Sequence, residues 1–239
     1  MLPWLIRHGV GLSFGRTAVL AITGLGFTLF AFVGFTYAPA NHSGALMTGT
    51  MPLFTVALAA LLINERLTRA RQIGLVLIIS GAACLGGDAL VKATGTWPGD
   101  LAYLAASLSW ALFTVACRAW QVKPLQSVAI LFVFSMAVYM PIYMILFTPH
   151  LADVAWPDLI VHGVYQGVLS SIVATFAYTR AVVALGASVT SMVLALVPAL
   201  VALAAVLLLG EAPPLLAWAG IVVITLGMLA TVASLRRAA

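Results

Sequence analysis

Charged residues are scarce in this sequence, which has 11 Lys or Arg and 6 Asp or Glu among 239 residues. A water-soluble domain of this length needs many more polar groups to cover its surface, so the composition excludes an ordinary soluble protein. The 64% share of apolar residues also excludes an intrinsically disordered chain. The long apolar runs instead predict a protein that crosses the membrane several times, since each crossing takes about 20 apolar residues.

Residue patterns that carry chemistry are also missing. The two cysteines, Cys84 and Cys117, lie inside apolar runs, where cysteine usually serves as a small hydrophobic residue. The sequence contains no Ser-His-Asp set, no cluster of metal ligands and no glycine-rich phosphate loop. We therefore expect no enzyme, no cofactor and no metal, and the basic residues between apolar runs do not suggest nucleic acid as a partner.

Eight apolar segments are long enough to form transmembrane helices. Their predicted limits are 17–38, 45–63, 72–91, 100–119, 126–147, 159–179, 187–208 and 214–234. The alternation of apolar and polar residues that a β-barrel requires does not occur. The sequence thus predicts an all-α membrane protein of eight transmembrane helices, in which short connections make consecutive helices antiparallel neighbours.

The basic residues fall almost entirely on one side of these predicted spans. Ten of the eleven lie on the side of the N-terminus, and Lys92 is the exception. Lys and Arg near the ends of membrane spans remain in the cytoplasm. The bias predicts a multi-pass protein of the inner (plasma) membrane with both termini in the cytoplasm.

An internal repeat connects the two halves of the chain. When the sequence is shifted by 146 residues, positions 52–81 overlay positions 198–227 with nine identities. The informative matches are Pro52 with Pro198, Glu65 with Glu211, Gly74 with Gly220 and Gly81 with Gly227. The glycines are expected at close helix contacts, and the two glutamates are expected to cap or anchor turns.

The repeat relates the first three predicted helices to the last three, with a period of five helices. An odd period turns the second copy upside down relative to the first, and such inverted repeats are typical of secondary transporters. Residues 1–91 then form a partial first repeat and residues 92–239 a complete second one, an arrangement of 3 + 5 helices from a ten-helix fold. Either two helices have been lost or the sequence is truncated at its N-terminus, and we expect truncation.

Several short motifs resemble the EamA domain of the drug/metabolite transporter superfamily over nearly the whole chain. They are Arg180-Ala181, Leu185-Gly186-Ala187-Ser188, Pro198, Leu208, Gly210-Glu211, Gly220 and Gly227, the first-half matches Pro52, Leu62, Glu65-Arg66, Gly74 and Gly81, and Ser109-Trp110-Ala111. The resemblance implies ten helices in two inverted copies, cytoplasmic termini and efflux of a small metabolite such as an amino acid or nucleobase. The absent first helix would help to line the substrate cavity of such a protein.

Polar residues at helical spacing supply the candidate substrate-binding positions. They are Ser107, Trp110 and Thr114 on the fourth predicted helix and Tyr165, Gln166 and Ser170 on the sixth. One interpretation is a cavity wall that binds a polar substrate, and the other is a set of hydrogen bonds between helices. For a single Ser or Thr we favour the structural role, whereas for Trp110 and Gln166 the two interpretations weigh equally.

Further candidates lie near the ends of the predicted helices and at two prolines. Tyr37 could line an outer vestibule, whereas Asn41 and His42 are expected in an ordinary solvated loop. Pro52 and Pro198 each remove a hydrogen bond inside a span, which predicts a kink. Kinks at matched positions suit a hinge, and the alternative is a pair of tolerated membrane prolines.

The sequence as a whole predicts a secondary transporter, an exporter of a small organic metabolite working by alternating access between the repeats. Its partners would be the lipid bilayer and the small-molecule substrate, and a homodimer is compatible with the pattern. Two alternatives from other classes stay open. One is a non-transporting scaffold derived from a degenerate transporter, and the other is a channel or lipid-handling membrane protein.

Overall fold

The computed structural model describes residues 11–92, 95–146, 154–197, 200 and 215–236. Within these residues each of the eight predicted segments is mostly helical, the seventh being interrupted by a turn at residues 195–196, and no strand occurs. Five helical segments are long and apolar enough to cross a bilayer, namely Phe14–Tyr37, Gly44–Ile63, Trp97–Ala119, Pro124–Ile145 and Trp156–Leu185. The all-α prediction for the described part of the chain is confirmed.

Ten α-helices and two π-helical segments make up the described fold. The α-helices are α1 (Phe14–Tyr37), α2 (Ala40–Ser43), α3 (Met51–Ile63), α4 (Arg69–Lys92), α5 (Trp97–Ala119), α6 (Pro124–Leu146), α7 (Trp156–His162), α8 (Ala174–Leu185), α9 (Ala187–Leu194) and α10 (Leu215–Arg236). The first π segment, Gly44–Gly49, joins α2 to α3, and the second, Gly163–Val173, joins α7 to α8. Hydropathy predicted the spans because apolar length sets them, but it carries no signal for the change from α to π geometry.

Pro52 occupies the first turn of α3, directly after the first π segment. The π segment and α3 together form one apolar helical stretch, Gly44–Ile63, so Pro52 lies inside it. The helix changes type just before the proline, and the kink expected from the sequence stays a prediction. Pro198, its partner in the repeat, lies outside the described residues.

Helices α4 and α10 pack extensively against each other through facing glycines. A Cβ atom at Gly74 would lie 2.6 Å from the carbonyl oxygen of Gly227, and one at Gly81 would lie 2.6 Å from that of Gly220. Side chains cannot fit at such distances, so the prediction that these glycines mark close packing is confirmed. The pairing of earlier with later residues also shows that the two helices are antiparallel.

A second extensive contact joins α1 to α5, again in antiparallel order. A Cβ atom at Gly34 would lie 2.5 Å from the Tyr103 ring, and one at Gly26 would lie 3.2 Å from the Ser109 hydroxyl. Small residues on α1 thus allow α5 to approach closely along its length. This contact positions Trp110, on α5, opposite the middle of α1.

Glu65 follows α3 and lies against the start of α9. A Cβ atom at Gly186 would lie 3.1 Å from Oε1 of Glu65, and the φ angle of Gly186 is +97°. A carboxylate near a helix N-terminus is stabilised by the helix dipole. The Glu65 carboxylate therefore lies at the start of α9, because the fold brings the connections after α3 and before α9 to one end of the bundle.

Candidate functional site

A cavity of about 780 Å³ lies among α1, α5, α6 and the second π segment with α8. Its size is within the range of small-molecule sites. No lining residue is charged, and the described residues contain no cluster of three or more His, Cys, Asp or Glu that could hold a metal. The lining comprises Gly24, Leu25, Phe27, Thr28, Leu29, Phe32, Trp110, Leu131, Phe132, Ser135, Met136, Tyr139, Gln166, Ser170, Ser171 and Thr175.

Trp110 forms the centre of an aromatic cluster on one side of the cavity. Its ring centroid lies 4.8 Å from that of Phe27, 5.1 Å from that of Phe113 and 5.3 Å from that of Tyr178. The buried indole Nε1 lies near the Tyr178 hydroxyl, but it makes no hydrogen bond of acceptable geometry among the described residues. The cluster holds the indole in a fixed orientation and presents an apolar ring to the cavity.

The polar wall of the cavity comes from the second π segment and the start of α8. Gln166, Ser170, Ser171 and Thr175 follow one another at intervals of four, one and four residues and all line the cavity. The Ser171 hydroxyl donates to the Gln166 carbonyl, which lies five residues earlier, as π geometry favours. Among the described residues neither the Gln166 amide nor the Ser170 hydroxyl has a partner, so both can bind a ligand.

Two of the predicted binding residues connect helices instead of lining the cavity. Thr50 donates a hydrogen bond of 3.0 Å to the buried Ser107 hydroxyl, which joins the first π segment's end to α5. The Thr114 hydroxyl donates to the Trp110 carbonyl at 2.7 Å and lies 2.8 Å from the Tyr178 hydroxyl. The hydroxyls of Ser107 and Thr114 therefore form hydrogen bonds between helices. This is the structural role that the sequence favoured for a single Ser or Thr.

Tyr37 and Tyr165 are each 61% exposed and lie outside the cavity lining. Tyr37 is the last residue of α1, and Tyr165 lies in the second π segment next to the cavity-lining Gln166. Of the seven predicted substrate-binding residues, the structure thus brings Trp110, Gln166 and Ser170 together.

Sequence reasoning missed several lining residues of α1 and α6. Phe27 contacts Trp110, and Ser135 and Tyr139 lie one turn apart on α6. The Ser135 hydroxyl is buried and has no hydrogen-bond partner among the described residues. The sequence shows that Ser135 and Tyr139 are spaced i, i+4 and so share a helix face. It does not show which other helix that face would contact.

The cavity is closed at the end where α5 finishes and α6 begins. Leu20, Phe113, Ile130 and Val182, here called the closed layer, are fully buried in the largest apolar core. Beside it Ser127 of α6 donates a 2.9 Å hydrogen bond to Thr179 of α8. At the same end Arg118 donates to the Val183 carbonyl, and Arg16 lies 5.6 Å from the centre of the Trp120 ring.

Toward the opposite end the walls are exposed. Residues 136–142 of α6 and residues 161–170 of α7 and the second π segment are all exposed. The described helices therefore combine a tightly packed end with an open one, and the cavity lies between them.

The structure buries His42 in the short helix α2, whereas the sequence predicted a solvated loop. Its side chain is 1% exposed, and Nδ1 lies 2.7 Å from Oδ1 of Asp100. The expectation for His42 was wrong because the turn after α1 folds back as α2 against the start of α5. A His–Asp pair separated by 58 residues leaves no local pattern in the sequence.

Long apolar helices around an uncharged, closed-ended cavity define a polytopic membrane protein of the transporter class. The model of the EamA-like transporter family matches residues 1–87 and 97–233, and the chain belongs to this family. Family membership confirms the resemblance seen in the sequence and points to a transporter rather than an enzyme.

Two similar proteins extend this comparison. The uncharacterized transporter YyaM of Bacillus subtilis (strain 168) is 32% identical over 105 residues, which are 42% of this chain and 34% of that relative. A solved crystal structure of a protein superposes with a TM-score of 0.73 and 22% identity, over 99% of this chain and 83% of that one. The match to YyaM thus spans about a third of its length, and the second similarity concerns the fold alone.

Proposed function

We propose that the protein is a secondary transporter that exports a small, uncharged or zwitterionic organic metabolite such as an amino acid or nucleobase. The observation that carries the proposal is the cavity of about 780 Å³ with an aromatic wall at Trp110 and a polar wall at Gln166 and Ser170. Aromatic rings bind apolar surface and planar groups, while unpartnered amides and hydroxyls supply hydrogen bonds that fix orientation. The lining residues that the structure describes carry no charge, which disfavours cargo with a net charge because such cargo would be costly to desolvate.

The transport mechanism in this proposal is alternating access between two inverted repeats, residues 1–91 and 92–239. The facing glycines support it, since the shift of 146 residues converts the Gly74–Gly227 contact into the Gly220–Gly81 contact. Two antiparallel helices with reciprocal contacts are what a local two-fold axis between inverted copies would produce. The family match in two blocks, separated at residues 88–96, agrees with this division.

The charge pattern supports an orientation for the bundle. Arg16, Arg118, Lys123 and Arg180 all lie at the end that bears the closed layer. With this end in the cytoplasm, as the positive-inside rule favours, the cavity would be closed toward the cytoplasm and open toward the outside of an inner membrane. Export would then require the closed layer to part while the exposed walls of α6 and the second π segment come together.

A counterflow experiment tests this proposal. The full chain is reconstituted into liposomes loaded with one unlabelled solute, and uptake of the same radiolabelled solute is followed for a set of neutral amino acids and nucleobases. A transporter shows saturable uptake that the internal solute stimulates. Gln166→Leu should reduce that uptake, whereas Tyr165→Phe, which removes a hydroxyl from the same turn outside the cavity, should leave it unchanged.

The alternative classes give different results in the same liposomes. A channel would pass solute without stimulation by internal solute, and a scaffold would give no flux for any solute while remaining folded. Uptake that survives Gln166→Leu and Trp110→Phe unchanged would show that the cavity is not the substrate site.

A further inference from the structure

The pair of buried His42 and partly exposed Asp100 lies outside the cavity, and one of its atoms has no partner that a structural role would require. Nδ1 of His42 contacts Asp100, whose other carboxylate oxygen accepts a 2.8 Å hydrogen bond from the Thr96 hydroxyl. Nε2 of His42 is also buried, and it has no hydrogen-bond partner among the described residues. A buried ring nitrogen without a partner costs free energy in either form, and the cost is larger once the ring is charged.

The elements packed around this pair bring few other titratable groups. Tyr103 of α5 donates weakly to the Ala38 and Pro39 carbonyls, at 3.5 and 3.4 Å. The end of α1 contributes Tyr37, and the first π segment contributes no titratable residue. Helix α4 also packs against α2, and its last two turns contain Asp88 and Lys92.

We propose that His42 and Asp100 form a proton-binding site that couples a pH gradient to transport. In the neutral state the Nδ1–H of His42 donates to the Asp100 carboxylate, and Nε2 carries the lone pair. One proton from solution binds to that lone pair, which converts the contact into an imidazolium–carboxylate pair. Histidine is the side chain whose charge ordinarily changes between pH 5 and 8.

Protonation of Nε2 creates an N–H group that requires a hydrogen-bond acceptor. The new Nε2–H group needs an acceptor, and no described side chain or backbone group hydrogen-bonds to Nε2 in the present packing. The protonated state therefore favours a displacement of α2 relative to α5 that exposes Nε2. The neutral state favours the packed arrangement that the structure shows.

A connected set of contacts links this displacement to the cavity. Asp100 and Trp110 lie on the same helix, α5, about ten residues apart. The first π segment continues from α2, and at its end Thr50 bonds to Ser107, one turn before Trp110. A shift of α2 against α5 would therefore act on α5 itself, the helix that contains Trp110 of the aromatic wall.

Coupling of the proton to solute flux rests on the proposed transport function, so the test separates the two. Wild-type protein, His42→Gln, Asp100→Asn and the control His162→Gln are reconstituted in liposomes. His162 is an exposed histidine of α7, outside this pair and outside the cavity lining. Counterflow at equal pH on both sides measures transport itself, and solute accumulation driven by a pH gradient measures coupling.

The expected result is that His42→Gln retains counterflow but loses at least about tenfold in gradient-driven accumulation, a difference of about 1.4 kcal/mol in driving force. Asp100→Asn should also reduce gradient-driven accumulation, because it removes the carboxylate that pairs with the protonated ring. His162→Gln should behave as wild type. Full gradient-driven accumulation by His42→Gln would overturn the proposal.

A measurement of His42 protonation tests the proton site even if no transported solute is found. Nitrogen-15 NMR of labelled histidine in nanodiscs follows protonation of the His42 ring, identified by the signal that His42→Gln removes. We expect the ring-nitrogen signals of His42 to change reversibly as the pH is lowered from 8 to 5. A His42 ring that keeps one protonation state across this range would refute the proton site whatever the transport result.

Discussion

Two helical regions of this protein differ in how closely other atoms pack against their glycines. In the α4–α10 pair a Cβ atom at Gly81 would lie 2.6 Å from a backbone carbonyl, so the helices are in contact at their main chains. In the second π segment a Cβ atom at Gly163 or Gly167 would meet no described atom within 4 Å. The first region is fixed by close packing, whereas the second is a sparsely covered wall that carries the polar groups of the cavity.

The proposed repeat extends this contrast. In it, helix α1 is the counterpart of the segment from α7 to α8. Both segments are exposed over much of their length, but α1 has five buried residues and packs extensively against α5, whereas residues 161–170 of its counterpart are all exposed. The less covered of the two segments is the one with π geometry and unpartnered polar side chains. Regions with few buried contacts are where functional motion is least costly.

The largest effect is expected from a methyl group placed in the α4–α10 contact. Gly81→Ala should lower the free energy of unfolding by about 1–3 kcal/mol, because the facing backbone carbonyl cannot move without separating the helices. Gly227→Ala should behave alike, since its Cβ would lie 2.6 Å from the Gly74 carbonyl. Unfolding of the purified protein in mixed micelles with increasing denaturant measures the change.

The matched control is Gly167→Ala in the open wall, which should change stability by less than about 0.5 kcal/mol. Equal destabilisation by Gly81→Ala and Gly167→Ala would show that the two regions are packed alike and would remove the contrast.

The next effect concerns binding rather than stability. Gln166→Leu removes an unpartnered amide from the polar wall, and loss of one hydrogen bond to a ligand, about 1 kcal/mol, should raise the KM for transport about fivefold. Trp110→Phe should reduce transport with little loss of stability, because the smaller ring keeps the aromatic cluster around Phe27 and Phe113. Initial rates of uptake at several solute concentrations separate KM from maximal rate.

An unchanged KM in Gln166→Leu, with the protein folded, would place the polar contact of the substrate elsewhere. Tyr165→Phe serves as the comparison, because Tyr165 is exposed and lies outside the cavity lining.

The smallest effect is expected at the hydrogen bond beside the closed layer. Thr179→Val removes the acceptor of the 2.9 Å bond from Ser127, which joins α6 to α8. Hydrogen bonds between membrane helices contribute about 0.6 kcal/mol on average, so the free energy of unfolding should fall by about that amount. The same denaturant titration in micelles measures it.

Thr36→Val is the matched substitution on α1, where the hydroxyl donates only to the Phe32 carbonyl of its own helix at 2.9 Å. It should leave stability unchanged within error. A loss in Thr36→Val as large as that in Thr179→Val would mean that the bond beside the closed layer contributes nothing specific.

Parts of the site could be read from the sequence and parts could not. Trp110, Gln166 and Ser170 were identified because polar and large aromatic residues at helical spacing are unusual in apolar spans. Thr114 and Ser107 satisfy the same pattern, yet the structure gives them partners on other helices. A helical period shows which face a residue shares but not which neighbour covers that face.

For His42 the sequence predicted exposure, whereas the structure shows burial. A short polar stretch after a predicted span is typical of a solvated loop, so the sequence favoured exposure. The fold instead closes the turn against α5 and gives His42 a carboxylate partner far away in the chain.

The sequence by itself determined the all-helical class of the described residues, the approximate limits of their long helices and the glycine contacts. It could do so because hydropathy and small side chains act locally, or repeat at a fixed shift. Only the tertiary structure decided which polar residues face the cavity, where helices become π-helical and how His42 meets Asp100. Those features depend on the partner that each helix acquires, and in a chain with so few charges that choice is made by packing, which no single segment encodes.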